Sequence, residues 1–360
     1  MKIITVIGAR PQFVKAAAVS RAFRAFPNIE EMIVHTGQHF DANMSDIFFE
    51  EMDIPRPHFN LEINSLSHGA MTGRMLERIE EVLLAEKPDA LMVYGDTNST
   101  LAGALAARKL QVPVMHVEAG LRSHNNAMPE ETNRILTDRI SKVLFCPTKT
   151  AVTNLRLEGF EQFDCTILQV GDVMEDAALY YAPKAAASSN ILKTLHLEGR
   201  DFALCTLHRA ENTDDPARFR AIVEALNETA ARMPVVLPLH PRTQKLLEKN
   251  GLQINAIILP PLGYFDMLSL LQNCCVVMTD SGGLQKEAYF FGKFCLTLRD
   301  DTEWAELVEE GFNFLVGADK SLILNTLEAV LSKKLPEKKD FFGGGKASAR
   351  IAEVVAHYLV

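Results

Sequence analysis

Short β-branched runs alternate with amphipathic stretches along this 360-residue chain, and that alternation limits the fold more than any other feature. KIITVIG reads as a strand, PQFVKAAAVSRAF as a helix, EMIVHTG as a strand and MTGRMLERIEEVLLAEK as a helix. ALMVYGD, STLAGALAARKL and VPVMHVEAG continue the series. Strands joined through helices run parallel, because a right-handed crossover brings each strand back in the same direction. This is the pattern of an α/β fold with helices on both faces of the sheet. A second series follows in the same style, with FALCTLH, PVVLPLH, AIILPPL, VVMTDSG and FCLTLR as strands. Between the two, VGDVMEDAALYYAPKAAASSN weakens the pattern with small, polar and proline residues and reads as the passage between lobes. The expectation is two Rossmann-like, doubly wound parallel-sheet domains, over residues 1–172 and 173–340, facing a central cleft. After the breaker FFGGGK, the segment 341–360 reads as an amphipathic helix expected to pack back on the first domain.

Composition narrows the function. With 48% hydrophobic and 23% charged residues, the chain can bury a core in each lobe. No stretch reaches a bilayer-spanning length, and MKIITVIGARPQ is too short an apolar run for a secretory signal, so a cytoplasmic protein is expected. A net charge of −9 without a long basic run argues against nucleic-acid and membrane-surface roles. The six cysteines form no CxxC pair, so buried thiols are expected, with no metal site and no disulfide framework.

In doubly wound sheets ligands bind outside the strand C-termini, so the loops after strands carry the argument. The first strand ends in Gly8-Ala9-Arg10-Pro11-Gln12, and Lys15 follows in the helix. A helix N-terminus with two cations suits an anion, although a tight turn bearing two surface cations accounts for this fragment equally well. The pattern is neither GxGxxG nor a P-loop. Asp96 precedes Thr97-Asn98-Ser99-Thr100, where helix capping needs only one residue, so an acid is left spare. Glu118 ends the next strand, and Glu130-Glu131 opens the helix that carries Arg134. Any one of these acids alone is a cap or a turn former; three loops bringing acids to one edge point to proton chemistry. In the second lobe His208-Arg209 occupies a matching strand end. Ser281-Gly282-Gly283 then allows close backbone approach to a phosphate, and Glu287 is placed to accept from ribose hydroxyls.

The fragments GARPQFVK, HTGQHFD, YGDTNST, HVEAGLRS, MPEETNR, LHRAEN and TDSGGLQKE, in this order and over nearly the whole chain, closely resemble the non-hydrolysing UDP-N-acetylglucosamine 2-epimerases. The resemblance implies a GT-B-type architecture, a UDP-sugar substrate, no cofactor or metal, and a homodimer. It implies a reaction interconverting UDP-N-acetylglucosamine and UDP-N-acetylmannosamine by elimination of UDP to 2-acetamidoglucal and re-addition. By similarity Asp96, Glu118, Glu130 and His208 match catalytic positions. Arg10, Lys15, Arg134, Ser281, Gly283 and Glu287 match positions that contact UDP, with Gly282 between them. Gln38, His39 and His240 resemble residues around a second, activating UDP-sugar site.

Three departures stand out: His208-Arg209-Ala210-Glu211-Asn212 where relatives read HRREN, Asp301-Thr302-Glu303-Trp304 where many carry an arginine, and a shorter loop at 123–128. The GARPQ and QHFDANMSD forms also occur in relatives acting on UDP-2,3-diacetamido-2,3-dideoxy-glucuronate, which stands as the alternative substrate. A hydrolysing epimerase, a glycosyltransferase of the same architecture and a non-catalytic nucleotide-sugar sensor are the rival functions.

Overall fold

The computed structural model describes residues 1–38, 46–239 and 241–357. The chain divides into two compact units, one formed by Met1–Leu179 with Asp340–Val360 and the other by Tyr180–Lys339. The first unit contains β1 (Lys2–Ile7), β2 (Glu30–His35), β3 (Phe59–Asn60), β4 (Ala90–Tyr94), β5 (Val114–Val117), β6 (Val143–Cys146) and β7 (Thr166–Gln169). They form one parallel sheet in the order β3-β2-β1-β4-β5-β6-β7. The second unit contains β8 (Ala203–Thr206), β9 (Val235–Pro238), β10 (Ile257–Leu259), β11 (Val276–Thr279), β12 (Phe294–Thr297) and β13 (Asn313–Leu315). These too are parallel, in the order β10-β9-β8-β11-β12-β13. Both units are Rossmann-like, doubly wound sheets.

Each sheet reverses its strand order once, at β1/β4 in the first unit and at β8/β11 in the second. Connections on the two sides of such a point leave to opposite faces and open a crevice beyond the strand C-termini. The central strands read as unbroken apolar runs because helices cover both faces. Ile3, Ile4, Val6 and Ile7 of β1, and all five residues of β4, are fully buried. On one face the helices His68–Glu86 and Asn98–Lys109 pack through Met75, Ile79, Leu83, Ala102 and Ala106. Gly103 lets the second of these lie close to the sheet, since a β-carbon there would sit 3.3 Å from the Val6 side chain. Cys146, Cys205, Cys274 and Cys295 are buried while Cys165 and Cys275 are half-buried; burial pushes the Cys274 and Cys295 thiols up to about 12, which keeps them as inert thiols. No helix among the described residues is long and apolar enough to cross a membrane.

The segment 170–190 departs from its reading as a weak passage. It forms a helix, Val173–Ser188, with Pro183 inside it, and the two units divide within that helix at Leu179/Tyr180. A proline in a helix interior costs about 3 kcal/mol. Met174, Ala177, Ala178, Tyr181 and Ala185 are all buried, a stripe at helical spacing that offsets the cost. That stripe is the signal that the small residues obscured. The short strands β3, β6, β7 and β13 are further elements that the sequence reading did not name.

The C-terminal helix Ala347–His357 packs on the helix Arg10–Phe23. Asp176 caps it, accepting from the Ala347 amide at 3.0 Å, the Ser348 amide at 2.7 Å and the Ser348 hydroxyl at 2.5 Å. Asp176→Ala removes the cap and leaves buried donors unsatisfied, so it should cost about 1–3 kcal/mol. Hydrogen exchange should then quicken at residues 347–357 ahead of the rest of the first unit; exchange unchanged there would show that the helix docks without its cap.

Candidate active site

The turn after β1 is built around two short residues and one long one. A β-carbon on Gly8 would lie 1.9 Å from Thr36 Oγ1 and 2.4 Å from Ser99 Oγ, so no other residue fits. Gln12 Oε1 accepts from the amides of Gly8 (2.8 Å) and Ala9 (3.0 Å). Its Nε2 donates to the Tyr94 carbonyl and to Thr100 Oγ1, both at 2.9 Å. One side chain thus ties the end of β1 to the end of β4. It also occupies the amides of Gly8 and Ala9, and Pro11 has none. The half-buried Arg10 side chain lies beside this turn, its guanidinium 4.7 Å from the centroid of the Phe48 ring. Gln38 joins the same knot, accepting from the Ser99 hydroxyl at 2.9 Å and its amide at 3.3 Å. His39 and His240 lie outside the described residues.

The acids meet at the ends of β4 and β5, which are neighbours in the sheet. Thr97 caps the helix Asn98–Lys109 by accepting from the Thr100 amide, which leaves Asp96 free of that duty. Asp96 instead takes a hydrogen bond from Arg134 Nη2 at 2.5 Å, and its carbonyl accepts from Asn133 at 2.9 Å. Glu118 sits one residue past β5 with φ of +73°, a left-handed conformation that costs a non-glycine residue about 1–3 kcal/mol. Its carboxylate pairs with Lys15, and both side chains are less than a tenth exposed. A β-carbon on Gly95 would stand 3.0 Å from Lys15 Nζ and 3.4 Å from Glu118 Oε1. Glycine suits the φ of +60° there, and its lack of a side chain leaves room for Lys15 and Glu118. Lys15 with Glu118 and Arg134 with Asp96 thus form two ion pairs at adjacent strand ends.

The pair Glu130-Glu131 is split by its surroundings. Glu131 is 1% exposed and accepts from the amide and hydroxyl of Ser123, the amide of His124 and Arg134 Nη1. Burial alone would raise its pKa, but those amides and the guanidinium hold it below the usual carboxylate range. It pins the short loop at 123–128. Glu130, half-buried in the first turn of the helix Pro129–Ile140, is left for other use.

In the second unit, Thr206 of β8 lies opposite Thr279 of β11, so the residues just beyond them meet. Asp280 is fully buried. It accepts from the amides of His208 (3.0 Å) and Arg209 (2.9 Å), and its Oδ1 is 3.1 Å from His208 Nδ1. Burial would raise its pKa, but His208 and the two amides hold it low. An ionised partner fixes the proton on Nδ1 and leaves Nε2 on a half-exposed ring to exchange a proton or meet an anion. Asp280 is the residue that the sequence reading missed; the parallel register of the two strand ends is the feature that marks it.

Ser281 caps the helix Gly282–Phe290 by accepting from the Leu284 amide. Gly282 is pressed against Glu303, where a β-carbon would lie 2.2 Å from Oε1, whereas around Gly283 the nearest such contact is 3.9 Å away. Open space at Gly283 is what close approach of a phosphate requires. Glu287 is 9% exposed and accepts from the Tyr264 hydroxyl at 3.1 Å. The 301–304 departure has a structural outcome: Trp304 is buried, donates from Nε1 to the Gly282 carbonyl at 2.9 Å, and packs its ring 4.5 Å from Lys286 Nζ. The Trp304 indole thereby supports the turn at Gly282. Among the described residues no group of three or more His, Cys, Asp or Glu could hold a metal ion.

Known proteins resemble this chain in sequence and in fold. Residues 21–356 match the family described as UDP-N-acetylglucosamine 2-epimerase. The UDP-2,3-diacetamido-2,3-dideoxy-D-glucuronate 2-epimerase of Pseudomonas aeruginosa is 56% identical over 358 residues, covering 99% of each chain. The UDP-N-acetylglucosamine 2-epimerase of Methanocaldococcus jannaschii is 43% identical, again over 99% of each chain. A crystal structure of the M. jannaschii enzyme in complex with UDP-GlcNAc and UDP superposes with a TM-score of 0.93, covering 99% of this chain and 100% of that one. The chain belongs to the UDP-N-acetylglucosamine 2-epimerase family.

Proposed function

We propose that this enzyme inverts carbon 2 of a UDP-2-acetamido sugar by eliminating UDP and adding it back. The observation that carries this reading is the cluster of Asp96 and Glu118 on adjacent strand ends, held by Lys15 and Arg134, with Glu130 close by in sequence on the Arg134 helix. The hydrogen on carbon 2 has no adjacent carbonyl, so simple deprotonation would give a poorly stabilised carbanion. Breaking the anomeric carbon–oxygen bond as the proton leaves gives a 2-acetamidoglucal and UDP instead. Re-addition with the proton delivered to the opposite face completes the inversion. Carboxylates held in place by cations suit the proton steps. His208, oriented by Asp280, is assigned to the departing diphosphate, and Ser281, Gly283 and Glu287 to the nucleotide. Arg10, Lys15 and Arg134 are assigned to UDP, and Gln38, His39 and His240 to a second UDP-sugar that activates.

Two substrates fit this chemistry. UDP-N-acetylglucosamine is supported by the M. jannaschii complex, and UDP-2,3-diacetamido-2,3-dideoxy-glucuronate by the P. aeruginosa relative. The higher identity, 56% against 43%, favours the second. We infer a homodimer acting in the cytoplasm, in keeping with the family resemblance and with a UDP-sugar as substrate.

Incubated in heavy water with each sugar in turn, the enzyme should give the 2-epimer deuterated at carbon 2, faster from the diacetamido-glucuronate. Free sugar with UDP would instead indicate a hydrolase, and no exchange with either sugar would overturn the reading. Asp96→Asn, Glu118→Gln and Glu130→Gln should each lower kcat by about 10²-fold or more while the Kd for UDP changes little. A matching loss of UDP affinity would make these residues structural.

A further inference from the structure

His116, on β5 two residues before Glu118, is fully buried and has both ring nitrogens engaged. Nδ1 lies 2.7 Å from Asp138 Oδ1, and Nε2 lies 2.7 Å from the Gly95 carbonyl oxygen. A neutral imidazole has one donor and one acceptor, whereas the imidazolium has two donors. A carbonyl oxygen only accepts. Asp138 also behaves as an acceptor, because its Oδ2 takes the Gly120 amide at 3.1 Å and Arg122 Nη1 at 2.7 Å. Either neutral tautomer would set a ring lone pair against an oxygen lone pair at 2.7 Å. Only the doubly protonated ring satisfies both neighbours.

The placement gives that cation a use. Gly95 C=O and the Asp96 amide belong to one peptide plane, so a charged donor on the carbonyl fixes the direction in which Asp96 leaves the strand. The other face of Gly95 meets Lys15 and Glu118. The charged groups around the ring are Asp138 and Arg122 on its Nδ1 side, with Glu158 beyond Arg122 at 2.7 Å, and Lys15 and Glu118 past the Gly95 peptide. The ring thus stands behind the Gly95 peptide, from which Asp96 follows. We propose that His116 is a positioning residue, a buried imidazolium whose Nε2–H bond to the Gly95 carbonyl sets Asp96 relative to Glu118. This rests on the carbon 2 reading above for the role of those acids, but the protonation of the ring does not.

The test has two arms. In enzyme labelled at histidine nitrogens, with the His116 signals identified through its backbone, Met115-His116 being the only Met-His pair in the chain, both ring nitrogens should appear protonated at neutral pH. A signal from an unprotonated nitrogen overturns the proposal, whatever the substrate proves to be. For kinetics, His116→Gln keeps an amide donor at the Nε2 position, and His116→Asn keeps one near Nδ1 but loses the bond to Gly95. His116→Asn should lower kcat by about 10²-fold with KM and UDP affinity little changed, a loss typical of slightly misplaced groups. His116→Gln should recover most of that loss at a similar Tm. Equal kcat in the two variants, or wild-type kcat in His116→Asn, would reduce His116 to a packing role and overturn the proposal; should both variants fail to fold, the ring signals of the native enzyme still decide.

Discussion

Four charged side chains at the ends of β4 and β5 are held almost out of water. Lys15, Glu118 and Arg134 are each less than a tenth exposed, and Asp96 is about a quarter exposed. Removing an ion from water costs several kcal/mol even after the protein relaxes, and attraction to a partner recovers that only in good geometry. The surrounding backbone is built to supply the geometry. Gly8 leaves no room for a side chain, Gly95 turns the chain with a φ of +60°, Gln12 fastens the end of β1 to that of β4, and Glu118 is kept in a left-handed conformation. Strain of this kind persists only where the neighbourhood over-determines it. Here it sits at the reversal of the sheet, where the fold opens its crevice.

The second unit solves a related problem with fewer charges. Asp280 uses one carboxylate to hold two amides and one imidazole, so the loop after β8 and the orientation of His208 come from the same group. Next to it, Gly282 is pinned between Glu303 and Trp304 while Gly283 remains open. A turn fixed on one side and bare on the other offers backbone to a phosphate without having to rearrange.

Much of this was legible in the sequence, and the parts that were not share a cause. Parallel strands with both faces covered read as continuous apolar runs, so β1, β4, β5, β8 and β11 declare themselves. A two-residue strand such as β3 has no period to detect, and the helix Val173–Ser188 hides behind alanines and Pro183. Asp96 was recognisable as spare because Thr97 follows it. Glu130 and Glu131 could not be told apart by spacing, since what separates them is the loop at 123–128 folding onto one of them. Lys15 and Arg134 were placed with UDP by resemblance, and the structure shows what spacing cannot, that their nearest partners are acids from other strands. Asp280 and His116 became visible only once neighbouring strand ends were brought into register.

The central claim is that the bond to UDP breaks and re-forms on the way to inversion. Heavy oxygen placed in the bridge between the anomeric carbon and the β-phosphorus of the substrate tests this most directly. Once released, the β-phosphate can rotate before it rejoins the glycal. The account predicts that the label passes from the bridge to non-bridging positions during epimerisation; epimer formed with all of the label still in the bridge would contradict it.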